Sequence, residues 1–333
     1  MSVLLSPADA RALIWNALVG SGTSPRNAEY FTDAILDTEL SGLEGHGFYW
    51  LQYYCAHLLS GKVDGQVVPQ VKPLSDTSFR VDAGCGFAHP AIEVGFKYMI
   101  PAAKTHGIAA MGVYNSYNAA TLGFHTGYLA RAGLLALGAT NAVPNLAPVG
   151  GKRPIIGTNP ISYAVPAPNG EVSFLVDQSA TQVAWTAVKR AAEEGDPIPL
   201  GWALDAEGEP TTDAEAGLAG SMAPAGGVKG FSIGLFVEVL CAALAGGELG
   251  LDQGSFTDDD GKPINNGQFF VAFDPGKFSG GSFDQTISKL VASITEQEGA
   301  RLPNARREAN KLRLSEQGIP IEPKLYEALK DFA

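Results

Sequence analysis

Leu43-Glu44-Gly45-His46-Gly47-Phe48-Tyr49-Trp50 sets a titratable imidazole between two glycines at the point where two helical patterns meet. Gly45 and Gly47 let the backbone turn sharply and leave His46 uncrowded. Near the N-terminal end of the next helix, partial positive charge favours the neutral ring and lowers its pKa. That suits a proton donor or acceptor working near neutral pH. A capping or core histidine in a Gly-rich turn is the competing reading, and the rest of the chain has to decide between them.

Outward from this turn, the first 60 residues read as a helical layer. Ser6-Pro7-Ala8-Asp9 supplies an N-cap, a proline at the first helical position and an early acid, and the pattern runs to Gly20. Ser24-Pro25 restarts it for a helix over 26–43, and a third helix is expected over 48–59, stopped by Gly61. Val63 to Pro73 reads as a Pro-punctuated linker.

An alternation of strands and helices follows, as in an α/β domain. Strands are expected at 79–82, 108–113, 134–141, 161–165, 174–177 and 268–273, and helices at 90–106, 121–132, 181–194, 231–244 and 283–298. Residues 202–213 read as an exposed turn. A polar helix ending at Gly318 and a short amphipathic helix over 322–332 close the chain. The divisions expected are a helical part over 1–75, a cofactor-binding α/β domain over 76–275, and C-terminal helices over 276–333 that return to the helical part.

The totals exclude several classes. With 333 residues, 45% hydrophobic, 17% charged and 40 glycines, the chain has the composition of a soluble, loop-rich α/β enzyme large enough to hold a cleft. A net charge of -12 argues against nucleic acid and anionic membrane as partners. Cys55, Cys85 and Cys241 are odd in number and widely spaced, which fits neither a disulfide framework nor a metal site, and implies a reducing, cytoplasmic location. No secretory leader and no run of roughly 18 to 20 apolar residues is present.

Gly84-Cys85-Gly86 after a strand imitates a dinucleotide fingerprint, but its third glycine position is His89, so a Rossmann domain is not supported. The five histidines show no HExxH-type spacing, no metal is expected, and no G-x-S-x-G marks a serine nucleophile. What remains is His46 with two Gly-rich anion-binding candidates. One is the long segment through Gly157-Thr158-Asn159-Pro160, and the other is Gly226-Gly227-Val228-Lys229, where glycines free the amides at a helix start and Lys229 adds a charge. A proton donor beside an anionic cofactor suggests hydride chemistry.

In several motifs, in order along nearly its whole length, the chain resembles the malate/L-lactate dehydrogenase family. That family includes ureidoglycolate and sulfolactate dehydrogenases, diketogulonate reductase and Δ1-piperideine/Δ1-pyrroline-2-carboxylate reductases. The matching stretches are Gly45-His46-Gly47, Asn115-Ser116, Gly157-Thr158-Asn159-Pro160, Gly201-Trp202-Ala203-Leu204-Asp205, Pro210-Thr211-Thr212-Asp213, Gly226-Gly227-Val228-Lys229-Gly230 and Gly318-Ile319-Pro320. The resemblance implies a non-Rossmann NAD(P)-binding fold with a mixed-sheet cofactor domain and a helical domain, working as a homodimer. It implies NAD(P)H as cofactor, with NAD against NADP left open, and a small 2-oxo acid or cyclic 2-imino acid as substrate. His46 becomes the proton donor. Trp50, Thr158 and Trp185 fall at substrate-binding positions, and Tyr117, Asn118, Ala119, Ala120, Thr121, Asp177, Gln178, Ser179, Val228, Lys229 and Arg306 at cofactor-binding ones.

Three departures concern the substrate. The family's serine before the histidine is Gly45, its carboxylate-clamping arginine is Trp50, and its His-Gly-Asp is Trp185-Thr186-Ala187. Losing a bidentate guanidinium removes a pair worth on the order of 2 kcal/mol or more in a dry pocket. The alternative implied by these changes is an NAD(P)-binding protein with weak or altered catalysis.

Overall fold

The computed structural model describes residues 2–333. A short strand β1 (Val3–Leu5) precedes helices α1 (Pro7–Gly20), α2 (Pro25–Leu40) and α3 (Phe48–Ser60). Both serine caps form as the sequence predicts: Ser6 accepts from the Asp9 amide and Ser24 from the Asn27 amide. Gly61 ends α3 in the left-handed conformation, at φ 79°.

The α/β part runs β2 (Gln70–Pro73), β3 (Ser78–Gly86), α4 (Ala88–His106), β4 (Ile108–Ser116), α5 (Leu122–Arg131), β5 (Leu135–Thr140), β6 (Ile161–Pro166) and β7 (Val172–Gln178). After α6 (Trp185–Glu194) comes a small unit of β8 (Ala203–Leu204), β9 (Pro210–Thr211), α7 (Ala214–Ala219) and β10 (Ser221–Met222). Helix α8 (Val228–Glu238) continues into a π-helical turn over Val239–Leu244, and β11 (Asn266–Phe273) returns to the main sheet. The chain closes with α9 (Pro275–Phe278), α10 (Phe283–Thr295), α11 (Ala305–Gln317), β12 (Ile319–Ile321) and α12 (Pro323–Lys330).

Seven strands form the main sheet in the order β2-β3-β4-β11-β5-β6-β7. Only β3 and β4 pair in parallel, and β11 is inserted antiparallel between β4 and β5. The sheet is therefore mixed, as expected, and lacks the strand–helix–strand repetition of a doubly wound nucleotide fold. Phe96, Met99, Met111 and Phe270 fill the core under α4 and α5. A second core joins α1, α2 and α3 to Leu314 of α11, Leu329 of α12 and Phe256. Among the described residues, no helix is long and apolar enough to cross a membrane.

The structure corrects the sequence reading in four places. The supposed linker ends in a true strand, because Val71 lies opposite Val81 on β3 and Pro73 is tolerated at the sheet edge. Strand β3, expected over 79–82, continues through Gly84 and Cys85 to Gly86, with Gly84 and Cys85 at positive φ values of 58° and 63°. The exposed turn over 202–213 is organised as the three-stranded sheet β10-β8-β9. Pairing of β1 with β12, Val3 opposite Ile321, ties the two ends of the chain together.

Candidate active site

The His46 turn is wedged between helices. Behind it, Glu39 of α2 is 3% exposed and accepts the Phe48 amide at 2.5 Å, so a buried carboxyl caps α3. A Cβ on Gly47 would lie 2.0 Å from Glu39 Oε1, so a larger residue there would displace the buried carboxyl. Burial, with a smaller push from Glu44, raises the Glu39 carboxyl from 4.5 to about 8, against the Phe48 amide, which favours the charged form. At neutral pH this is a neutral acid.

His46 itself is partly buried. Burial lowers its pKa below the ordinary histidine value; Asp177 opposes that shift and Arg307 reinforces it. The direction agrees with the sequence expectation, but the main cause is desolvation rather than the helix end.

Asp177 and Arg307 organise the next layer. Asp177 is the penultimate residue of β7, and its Oδ2 accepts the Gly123 amide of α5 at 3.0 Å and Arg307 Nη1 at 3.1 Å. Arg307 also donates to the Asp177 carbonyl at 3.2 Å. Asp177 of the predicted segment 177–179 and Arg307 of the first turn of α11 are thus paired beside His46, with the start of α5 bonded to the same carboxylate. Thr121, Gly123 and Arg307 border a cavity of about 160 Å³ that Asp37, Arg131 and Lys311 also line.

A second junction joins the remaining motifs. The Ala180 amide donates to the Thr158 carbonyl at 2.7 Å, and the Ala225 amide to the Ala180 carbonyl at 2.9 Å. Asn159, at φ 37°, donates to the Gly234 carbonyl and to buried Glu238. Thr158, Ser179 and the lead-in to α8 therefore belong to one structure. Gly226 and Gly227, at φ 64° and 65°, leave open space around the α8 N-terminus, which no side chain caps among the described residues. Val228 and Lys229 on its first turn are exposed. Free amides, an open glycine approach and a full positive charge fit a phosphate group.

On the remaining side, Trp50 and Trp185 stack with ring centroids 6.4 Å apart and planes 22° from parallel. The structure brings these two predicted residues together as one apolar surface. Phe256 abuts Trp50 edge-on at 4.7 Å.

Some predicted residues have other duties. Tyr117 is 2% exposed and bonds His57 Nδ1 through its hydroxyl, so its side chain is core and not a contact surface. Ala119 is 1% exposed. Asn118 Oδ1 is engaged by the Ala120 amide at 2.6 Å, and Thr121 Oγ1 by Thr38 at 3.1 Å. Gln178 lies exposed at the end of β7. Arg306 also points outward; the arginine directed to Asp177 is its neighbour Arg307. Face periodicity would have found it, since 307, 310 and 311 share a helix face with buried Leu314. Glu39 was readable the same way, as an acid on the buried Phe31, Ile35 and Thr38 side of α2.

The sequence profile described as malate/L-lactate dehydrogenase matches residues 5–330. The chain is 41% identical to a (2R)-3-sulfolactate dehydrogenase (NADP(+)) of Chromohalobacter salexigens, over 99% of this chain and 97% of that one. It is 35% identical to Δ1-pyrroline-2-carboxylate reductase 1 of Burkholderia ambifaria, over 98% and 96% of the two chains. The crystal structure of Δ1-piperideine-2-carboxylate reductase from Pseudomonas syringae superposes with a TM-score of 0.93 at 31% identity, covering 100% of both chains.

Proposed function

This chain belongs to the malate/L-lactate dehydrogenase family, and we propose that it reduces a small 2-oxo acid or cyclic 2-imino acid, and runs the reverse oxidation, with His46 passing the proton. It is an oxidoreductase that works with a nicotinamide nucleotide. The observation that carries the proposal is the meeting of the His46 turn with the Asp177–Arg307 pair on one side and the Trp50–Trp185 wall on the other.

The residues fit a dinucleotide. Lys229 and the free amides of α8 would hold a phosphate, and the backbone of 118–121 with Asp177, Ser179 and Arg307 would line the rest. When bound, the reduced nicotinamide supplies the hydride. A protonated His46 then gives its proton to the oxygen that becomes a hydroxyl, and in the reverse direction the neutral ring takes it back. Asp177 holds positive charge on the ring, while Arg307 tempers it. Trp50 and Trp185 exclude water from one side of the reacting carbon. An imine is already basic and asks less of an acid relay, which suits a chain with Gly45 and Ala187 where the family it resembles has a serine and an aspartate.

A panel of 2-oxo acids, (2R)-3-sulfolactate and Δ1-pyrroline-2-carboxylate, each assayed with NAD(H) and NADP(H) at the nicotinamide absorbance, tests this. Turnover on at least one is expected, and saturable cofactor binding without turnover on any would overturn it.

The homodimer is part of the same proposal. Helix α8 is apolar on most sides, yet Val228, Leu235 and Phe236, with Val239 beyond it, are 61%, 45%, 54% and 52% exposed. A helix apolar all round belongs inside something, and a second copy is the occupant proposed. Light scattering giving a monomer mass at working concentration would contradict it. The three unpaired cysteines, two of them buried, support a reducing cytoplasmic compartment.

A further inference from the structure

Thr186, on the first turn of α6, is partly buried and its hydroxyl has no hydrogen-bond partner among the described residues. It meets the His46 turn at Gly45. A Cβ built on Gly45 would lie 2.8 Å from Thr186 Oγ1 and 3.4 Å from Thr186 Cβ. The space that a side chain preceding His46 would fill is therefore filled from α6, and by an oxygen. Trp185, the preceding residue, stacks on Trp50, so the hydroxyl sits where the histidine turn and the aromatic wall meet. Its oxygen is reachable from solvent and not sealed in the core, so it is free to bond a polar ligand atom.

We infer that Thr186 is a substrate-orienting residue: its Oγ1 supplies the hydroxyl beside His46 that Gly45 lacks, and bonds the substrate oxygen or nitrogen that His46 protonates. This rests on His46 being the proton donor. Positions 45 and 186 then behave as one unit, with room for one hydroxyl and not for two.

The test uses the full chain with Δ1-pyrroline-2-carboxylate and NADPH, and with (2R)-3-sulfolactate and NADP+. Thr186→Val keeps the branched shape and removes the hydroxyl. It is expected to lower kcat/KM roughly tenfold or more, with the NADPH Kd unchanged. Thr186→Ser retains near wild-type kcat/KM. Gly45→Ser alone is impaired, because its Cβ crowds Thr186 Oγ1. In Gly45→Ser/Thr186→Ala that oxygen is gone and the hydroxyl is supplied from position 45, so most of the lost activity returns. Loss of folding alone cannot produce this rescue. Undiminished kcat/KM in Thr186→Val, or a double variant no better than Thr186→Ala, overturns the inference while leaving His46 in place. Wild-type turnover in His46→Ala overturns the proton-donor reading and this inference with it.

Discussion

Glu39→Gln isolates the contribution of a buried neutral acid to the turn that carries His46. Gln keeps an oxygen to accept the Phe48 amide, which Glu39 does at 2.5 Å, but it cannot ionise. In the folded chain the Glu39 carboxyl titrates at about 8 because it is buried, whereas its ordinary value is 4.5. A group whose folded pKa is raised contributes stability that is fully present below the unfolded value and is lost as pH rises through the folded one. The window is therefore 4.5 to about 8. At about 1.4 kcal/mol per pH unit the full loss would be on the order of 5 kcal/mol, and relaxation and water penetration bring the expected figure to roughly 2–4 kcal/mol. Denaturant unfolding at a series of pH values measures it. Wild type should weaken relative to Glu39→Gln as pH rises from about 5 to about 8, with the difference levelling off above that. Parallel stability curves would refute the assignment of a neutral buried acid under the His46 turn.

Three further outcomes follow from the same geometry. Because burial lowers the His46 pKa, kcat/KM for reduction should fall with rising pH along a limb that begins below 6.5, while oxidation holds its rate above it; a limb at or above the ordinary histidine value would contradict this. Lys229→Ala should raise the cofactor Kd by roughly five- to fiftyfold, an effect that shrinks in high salt, and an unchanged Kd would remove the phosphate site from α8. Lys62 is 4% exposed and donates to the carbonyls of Ser255 and Asp258 at 2.7 and 2.5 Å, holding the loop that seats Phe256 against Trp50. Lys62→Met should cost about 1–3 kcal/mol and speed hydrogen exchange over 253–262, and unaltered exchange there would show the loop is held otherwise.

How far the sequence could be read depended on the range of the forces involved. Ser6-Pro7 and Ser24-Pro25 are local signals, and both helices start where those residues say. The two glycines around His46 gave the turn, because backbone freedom is also a local property. Pairing of β1 with β12 was not readable, since three-residue strands at opposite chain ends carry no periodicity of their own. The two-residue strands β8, β9 and β10 were hidden for the same reason. At the site, the motif order located the segments but not the side chains that meet. Arg306 and Arg307 are adjacent in sequence, and only the helix face decides which one reaches Asp177. Trp50 and Trp185 were expected at the substrate, and their stacking is a tertiary fact. Thr186 Oγ1 lies 2.8 Å from where a Gly45 Cβ would be, a contact between residues far apart in the chain that no local pattern encodes.

Whether His46 moves the proton in a nicotinamide-linked reduction is read from single-turnover kinetics of His46→Ala. With NADPH prebound and Δ1-pyrroline-2-carboxylate added, the account predicts a chemical step slowed by roughly 10²-fold or more and an NADPH Kd that is nearly unchanged. A variant that oxidises NADPH at the wild-type rate would contradict it.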